Sequence, residues 1–460
     1  MLKLLAMLNP DLLQKYNVQV PRYTSYPTVP AWNEHIEVKD WEGAFRKEFE
    51  ASNQQKGISL YIHLPFCESL CTYCGCNKRI TTNHGEEIDY IGAILAEWAI
   101  YCGLMKETPV IRELHLGGGT PTFFSPENLE KLLTSIYKTA IIHPEHEFSF
   151  EGHPNNTTRA HLQKLYDLGF RRVSYGVQDN DPEVQRIINR IQPFANVEQA
   201  TRTAREIGYL SVNYDLIYGL PRQTIAGMIH TIEQVISQRP DRVAFYSYAH
   251  VPWTSRGQRL FNDNDLPGAG EKLELYRTGK ELFIENGYVD IGMDHFALPT
   301  DDLYVASTEG RLHRNFMGYT TQATNILVGL GVSSISSTGS AFAQNAKTLN
   351  NYYQHIKSNT LAVEKGFFLS EEDVRFGKYI LDIICRGTTT FQSQDLETIK
   401  TYCMSELRKL ETDELILVGN CSVKVTPLGK NFIRNICCAF DLYIQKNKAV
   451  DEKKIFSRAI

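Results

Sequence analysis

Between residues 58 and 250 the chain alternates short runs rich in β-branched and aromatic residues with longer segments that carry apolar residues at helical spacing. The pattern predicts strands at 59–63, 110–116, 147–151, 171–178, 211–217 and 242–248. It predicts helices between them at 86–102, 126–137, 159–168, 182–189, 197–207 and 224–237. Ser125 before Pro126 and Asp181 before Pro182 are N-cap signals, and Gly169 and Gly208 are stop signals. Alternation of this kind builds βαβ units, and hence a parallel sheet. Six units predict an α/β fold, either an incomplete (β/α)6 barrel or a doubly wound sheet. Cys67 follows the first strand, Gly117-Gly118-Gly119 the second, Glu151 and Gln178 end the third and fourth, Asp215 lies in the fifth, and Ala249-His250 follow the sixth. In parallel α/β folds these strand ends form the mouth in which sites are built. Groups from six distant segments therefore converge on one face.

The flanks read differently. Residues 1–57 form an N-terminal arm, in which the run Pro-Arg-Tyr-Thr-Ser-Tyr-Pro-Thr at 21–28 is expected to be extended. Residues 58–286 are the barrel core, 287–365 a mixed, glycine-rich elaboration of that core expected to line the active site, and 366–460 a mostly helical C-terminal domain. A hairpin around Gly419-Asn420 gives that last domain a winged-helix-like pattern. It lacks a basic recognition helix, and the net charge of −5, from 48 basic and 53 acidic residues, excludes a chain-wide nucleic-acid footprint. No apolar run approaches the ~18 residues that span a membrane. The apolar start at 1–8 is short and is followed by Asn9, Pro10 and Asp11 rather than by a small-residue cleavage site. A cytoplasmic location is expected, with the ten cysteines reduced. Cys437 and Cys438 sit among apolar residues at helical spacing and read as structural thiols.

Cys67, Cys71 and Cys74 have the spacing C-x3-C-x2-C, and Cys76 follows closely. An iron–sulfur cube takes four thiolates. Three on one tight loop leave one iron open, a catalytic rather than a structural arrangement. The alternative is a zinc knuckle with Cys76 as fourth ligand, which usually draws its ligand pairs from separated segments.

The cysteine loop, the preceding Tyr-Ile-His-Leu-Pro-Phe at 61–66 and the Gly-Gly-Gly-Thr-Pro-Thr run at 117–122 resemble the radical S-adenosylmethionine (SAM) superfamily. The arm motif at 21–28, Cys-Gly-Cys-Asn-Lys at 74–78, Tyr-Ala-His-Val-Pro at 248–252, Gly-Met-Asp-His-Phe-Ala at 292–297 and Leu-His-Arg-Asn-Phe-Met-Gly-Tyr-Thr-Thr at 312–321 carry a narrower likeness. They are similar to the oxygen-independent coproporphyrinogen III oxidase family. The resemblance implies a barrel of radical SAM type and one [4Fe–4S] cluster on Cys67, Cys71 and Cys74 with SAM on the open iron. It implies a second SAM beside the first. It also implies a 5′-deoxyadenosyl radical that starts decarboxylation of the ring A and B propionates of coproporphyrinogen III to vinyl groups, giving protoporphyrinogen IX. Carried over residue by residue, Tyr61, Gly118 and Glu151 are first-SAM contacts, with Tyr61 and Glu151 next to the chemistry. Tyr73, Gly119, Thr120, Gln178, Arg190, Asp215 and Ala249 are second-SAM contacts, and Ile335 lies close to the ligands.

His153 stands where the family commonly has Asp or Asn, and Tyr73 where some relatives have Phe. The four carboxylates of the substrate call for cations, for which Arg22 on the arm, His313 and Arg314 are the candidates, with the arm closing over the substrate. The resemblance further implies a monomer and a one-electron donor such as flavodoxin or ferredoxin. Two related readings are a haem chaperone and a haem-acting radical SAM methyltransferase. His63, His115, His250 and His295 read as hydrogen-bonded structural histidines.

Overall fold

The computed structural model describes residues 10–253 and 255–446. The apolar start and the last residues of the C-terminal domain lie outside the described residues. Six strands form in the expected order: β1 (Ile58–Leu64), β2 (Val110–Gly118), β3 (Ile141–Gly152), β4 (Arg172–Gln178), β5 (Ser211–Tyr218) and β6 (Arg242–Ser247). All five neighbouring pairs are parallel. The helices between them are α1 (Glu86–Leu104), α2 (Pro126–Tyr137), α3 (Arg159–Asp167), α4 (Pro182–Ile187), α5 (Phe194–Ile207) and α6 (Ile225–Gln238). The caps act as their residue types dictate. Ser125 accepts from the Asn128 amide, and Asp181 accepts from Glu183 and Val184. Gly169 and Gly208 take φ of 98° and 112°, a region that costs a side chain energy but glycine little.

Residues 287–365 join the same sheet. β7 (Val289–Gly292) and β8 (His295–Ala297) extend it antiparallel beyond β6. β9 (Leu327–Leu330) pairs parallel with the free side of β1. β10 (Ile335–Ser337), β11 (Ala341–Asn345) and β12 (Val363–Phe368) then complete the order β12-β11-β10-β9-β1-β2-β3-β4-β5-β6-β8-β7. The sheet curls as an incomplete barrel with helices outside. Its core is apolar on the helix side: Leu129, Leu132, Leu133 and Ile136 of α2 are fully buried, each worth about 1.5–3 kcal/mol against exposure.

Within 1–57, residues 38–56 are helical, and Trp41, Phe45 and Phe49 enter the barrel core. The run at 21–28 is not extended: it bends at 24–27 with Tyr23 at φ 44°, and it is fastened to the C-terminal domain. Tyr23 donates to Asp441 at 2.9 Å, the Leu442 amide donates to the Tyr26 hydroxyl at 3.1 Å, and Arg434 donates to the Val20 and Pro21 carbonyls. The C-terminal domain has its own core, around the helix Glu371–Arg386 and a three-stranded sheet of Thr388–Thr390, Ile416–Val418 and Ser422–Val425. Cys437 is buried there, as its surroundings predict.

Candidate active site

Parallel strands send their C-terminal ends to one rim, and there the cysteine loop leaves β1. The loop is tied down by backbone on both sides. Arg79 N donates to Pro65 O at 2.8 Å and Thr81 N to Cys67 O at 3.0 Å, while the Thr72 amide reaches Ile188 O at 3.0 Å. The end of β2 is bonded to the same stretch. Gly119 N donates to Leu64 O (2.9 Å), Thr120 N to Phe66 O (3.0 Å), and the Thr120 hydroxyl lies 3.4 Å from the Cys67 sulfur. A Cβ on Gly119 would stand 2.5 Å from Pro65 O, so only glycine allows this approach.

Cys67, Cys71 and Cys74 line one cavity of about 370 Å³. Tyr73, Gly118, Gly119, Thr120, Glu151, Gln178, Arg190 and Asp215 share its wall. Tyr61 lies beside it, its ring edge pressed toward Gly117 next to Glu151. Ala249 and Ile335 stand off the wall, Ala249 in the loop after β6 and Ile335 at the start of β10.

The polar groups are arranged by the pleat. Glu151 pairs in register with Ser174, and Gly176 with Asp215, so these acids face the same side from the two strands that flank β4. Burial works against ionised Glu151, but His115 (3.6 Å) and the Gly118 amide (3.2 Å) outweigh it and leave the carboxyl below its usual range. Asp215 is pushed up to about 6, by burial first and by Glu151 second. Arg190 donates to Gly176 O at 2.6 Å and to the Cys71 sulfur at 3.6 Å, and its Nε is buried with no partner. The Tyr61 hydroxyl is 3.0 Å from His63 Nδ1, and His63 Nε2 is 2.9 Å from Asn77 O. A carbonyl only accepts, so Nε2 carries the proton and Nδ1 accepts from Tyr61. The hydroxyl thus keeps its lone pairs for a cationic ligand.

The thiols differ. Burial raises Cys67 to about 11, whereas the hydrogen bond from Cys76 and the charge of Lys78 bring Cys74 down to about 6. Among the described residues no three His, Cys, Asp or Glu side chains converge on a single ion position. A zinc knuckle needs sulfurs about 2.3 Å from one point. A cube binds each thiolate to a different iron, so its ligands need not meet at one point. All three are free thiols.

Two supporting residues gave no sequence signal. Gln258 is buried and donates to Tyr73 O (2.9 Å) and Ala249 O (3.2 Å), fixing the loop after β6 against the cysteine loop. Asp179 is buried behind Gln178, whose φ is +67°, and accepts from Gln223, Thr231 and the Asp181 amide. Lone polar residues in irregular backbone have no periodicity to betray them.

His153 keeps the turn it occupies. Its Nδ1 accepts from the Asn155 amide at 3.2 Å, the i→i+2 contact of an Asx turn, and burial holds the ring neutral, down to about 3. His153→Asn is therefore expected to keep turnover within about threefold of wild type, since the same amide is accepted. A loss beyond tenfold in a steady-state assay would contradict that reading.

The candidate cations fare unequally. Arg22 donates to Asp294 at 2.7 Å and lies 5.5 Å from the Tyr246 ring, at the cavity's edge. His313 is held neutral by burial, Arg386 and Lys56. Arg314 lies 4.8 Å from the Tyr319 ring.

The family model of the Radical SAM superfamily matches residues 61–235. The chain is 38% identical to the oxygen-independent coproporphyrinogen III oxidase of Synechocystis over 98% of its length and 97% of that protein's. It is 38% identical to the Escherichia coli enzyme of that name, over 98% of each chain. This chain belongs to that family. The solved coproporphyrinogen III oxidase of Escherichia coli, described as a radical SAM enzyme, superposes with a TM-score of 0.86 at 36% identity, covering 93% of this chain and all of that one. As a radical SAM oxidoreductase of this family, the chain takes an iron–sulfur cluster and SAM, and its barrel, arm and C-terminal domain are the family's fold. Among the described residues no helix is long and apolar enough to cross a membrane.

Proposed function

We propose that the protein oxidatively decarboxylates the ring A and B propionates of coproporphyrinogen III without oxygen, giving protoporphyrinogen IX. The observation that carries this is the thiol-lined cavity, which gathers side chains from the ends of β1 to β5 in a chain similar to these oxidases along its whole length. The donor set fits the implied cofactors: three free thiols, glycines that permit close approach, and a buried arginine nitrogen without a partner. Cys67, Cys71 and Cys74 would hold a [4Fe–4S] cluster, leaving one iron available to SAM. When bound, the cluster supplies one electron that cleaves SAM to a radical able to remove hydrogen from the propionate β-carbon. Each propionate loses that hydrogen atom, carbon dioxide and one electron to an external acceptor.

The chain's own residues position and shield. Glu151, ionised, and the Tyr61 oxygen face the cationic end of the first SAM. Arg190, with its unclaimed Nε, suits the carboxylate of the second. Tyr73, Gly119, Thr120, Gln178, Asp215 and Ala249 complete that site, and Ile335 backs it. The arm, held by Arg22–Asp294 and by the C-terminal domain, keeps water from the mouth. A flavodoxin- or ferredoxin-type donor, a monomeric state and a cytoplasmic location belong to the same proposal.

Asp215 gives a pH test. In the unfolded chain it titrates near 3.8, in the fold near 6. Between these values the fold binds the extra proton, so stability falls as pH rises through the window. The cost is absent below about 4 and full above about 6, on the order of 3 kcal/mol. Asp215→Asn is expected to raise the apoprotein melting temperature by a few degrees at pH 7.5 and to gain nothing at pH 4. Equal melting of the two proteins at pH 7.5 would contradict it.

The proposal itself is tested anaerobically with cluster-loaded protein, SAM, a reductant and coproporphyrinogen III. Vinyl products with two carbon dioxide released per porphyrinogen support it. Stable haem binding with no carbon dioxide release overturns it in favour of a haem carrier.

A further inference from the structure

The hairpin of His313–Asn315 and Gly318–Thr320 carries a cation with no anion. Arg314 Nε and Nη1 are both buried and without a hydrogen-bond partner, and among the described residues no carboxylate pairs with this guanidinium. The other arginines near the mouth each hold a partner, although Arg190 keeps its Nε unclaimed. Arg22 holds Asp294, Arg242 holds Asp301 at 2.6 Å, Arg172 holds Glu147, and Arg190 holds the Gly176 carbonyl. A buried donor left unpaired is costly, and a charged one more so. Such a site is complete only with an anion.

Arg314 lies in the wall of a second cavity of about 320 Å³, bounded by Tyr23 and Tyr26 of the arm, Phe316, Phe342 and Ile380. The one acid on that wall, Asp373, is already used: it accepts from the Ser370 amide and hydroxyl and from Tyr443. The cavity therefore offers a largely aromatic and aliphatic body with one guanidinium whose Nε and Nη1 donate to nothing. This suits a carboxylate on an apolar carrier better than a small hydrated anion. The Tyr319 ring that faces Arg314 lines a further cavity, which shares Glu151, Ser174, Asp215 and Tyr246 with the thiol-lined one. One large ligand held at Arg314 thus lies next to the reaction chamber.

We propose that Arg314 receives a propionate of the substrate other than the one reacting, since its cavity and the thiol-lined cavity have no wall residue in common. The inference rests on the porphyrinogen reading above. It separates three candidate cations: Arg22 fastens the arm, His313 is neutral, and Arg314 is the carboxylate receptor. Arg314 is in these terms a substrate-positioning residue.

The test titrates cluster-loaded wild type, Arg314→Gln and Arg314→Lys with coproporphyrin III, the air-stable four-carboxylate form, and with its tetramethyl ester, by porphyrin fluorescence. Arg314→Gln is expected to weaken coproporphyrin III binding about 10- to 100-fold. Arg314→Lys, which keeps the charge and loses the planar guanidinium, is expected to weaken it about three- to tenfold. Neither is expected to change ester binding, cluster absorbance or substrate-free SAM cleavage. Wild type that turns over coproporphyrinogen while Arg314→Gln binds coproporphyrin III equally well overturns the subsite alone. Wild type that turns over no porphyrinogen overturns the reading beneath it as well. Should Arg314→Gln fail to load its cluster, Arg314→Lys decides: unchanged affinity overturns the subsite.

Discussion

Cys71→Ser is expected to abolish turnover and cluster colour while leaving the fold intact. Cys71 is half-buried on the loop and belongs to no hydrophobic core. The loop around it is held by other groups. The Thr72 amide bonds to Ile188 O, and Asn189 donates to Leu70 O at 2.8 Å. Losing the sulfur therefore removes the proposed ligand and little else. Serine offers a hard oxygen whose proton stays on at neutral pH, where iron–sulfur chemistry needs a soft thiolate. Iron and sulfide after anaerobic reconstitution should fall to background, and turnover by at least about 10³-fold, with far-ultraviolet circular dichroism unchanged. Cys421→Ser, at an exposed thiol of the C-terminal hairpin, is the matched control and should match wild type on every count. A brown, active Cys71→Ser protein would remove this cysteine from the ligand set.

Gly119→Ala carries the second large effect, for a geometric reason. The new Cβ would meet Pro65 O at 2.5 Å and Phe66 O at 2.9 Å, both backbone atoms of the link between β1 and Cys67. Neither can rotate away, so the end of β2 and the cysteine loop must separate. That separation strains the Gly119–Leu64 and Thr120–Phe66 hydrogen bonds and draws Thr120 from Cys67. A displacement near 1 Å at a reacting centre is worth about 10²-fold in rate. Gly119→Ala should lose at least that in kcat, with weaker SAM binding. Gly75→Ala, in the same loop, meets nothing within 4 Å and should retain its cluster and most activity. Equal activity of the two variants would mean that β2 does not position the cysteine loop.

Much of this site was legible because it is built from strand ends. The period of the six βα units places Cys67, Gly118, Glu151, Gln178 and Asp215 on one rim before any packing is known, and the structure gathers them at one cavity. Strand β3 was foreseen only at 147–151 because Pro144 and the charged residues about it break the β pattern. The sheet accommodates them as an irregularity, with Ile111 opposite Ile142 but Glu113 opposite Glu147. The seventh parallel strand, β9, went unseen because its pairing with β1 joins residues more than 260 positions apart, for instance Tyr61 with Gly329. The helix at 38–56 did carry a signal, Trp41, Phe45 and Phe49 at four-residue steps, next to a proline-rich arm that dominates the reading of its region. Gln258 and Asp179 had none, for a buried amide or acid in irregular backbone is defined by the partners the fold brings to it. The unequal fates of Arg22, His313 and Arg314 are of the same kind: charge is written in the sequence, but whether a charge is already spent is not.

The central claim is that the thiol-lined cavity directs hydrogen removal at a propionate β-carbon. The most direct measurement supplies coproporphyrinogen III deuterated at those β-carbons to reduced, cluster-loaded protein with SAM and follows the label by mass spectrometry. The account predicts one deuterium in 5′-deoxyadenosine for each vinyl group formed. Unlabelled 5′-deoxyadenosine accompanying vinyl product would contradict it.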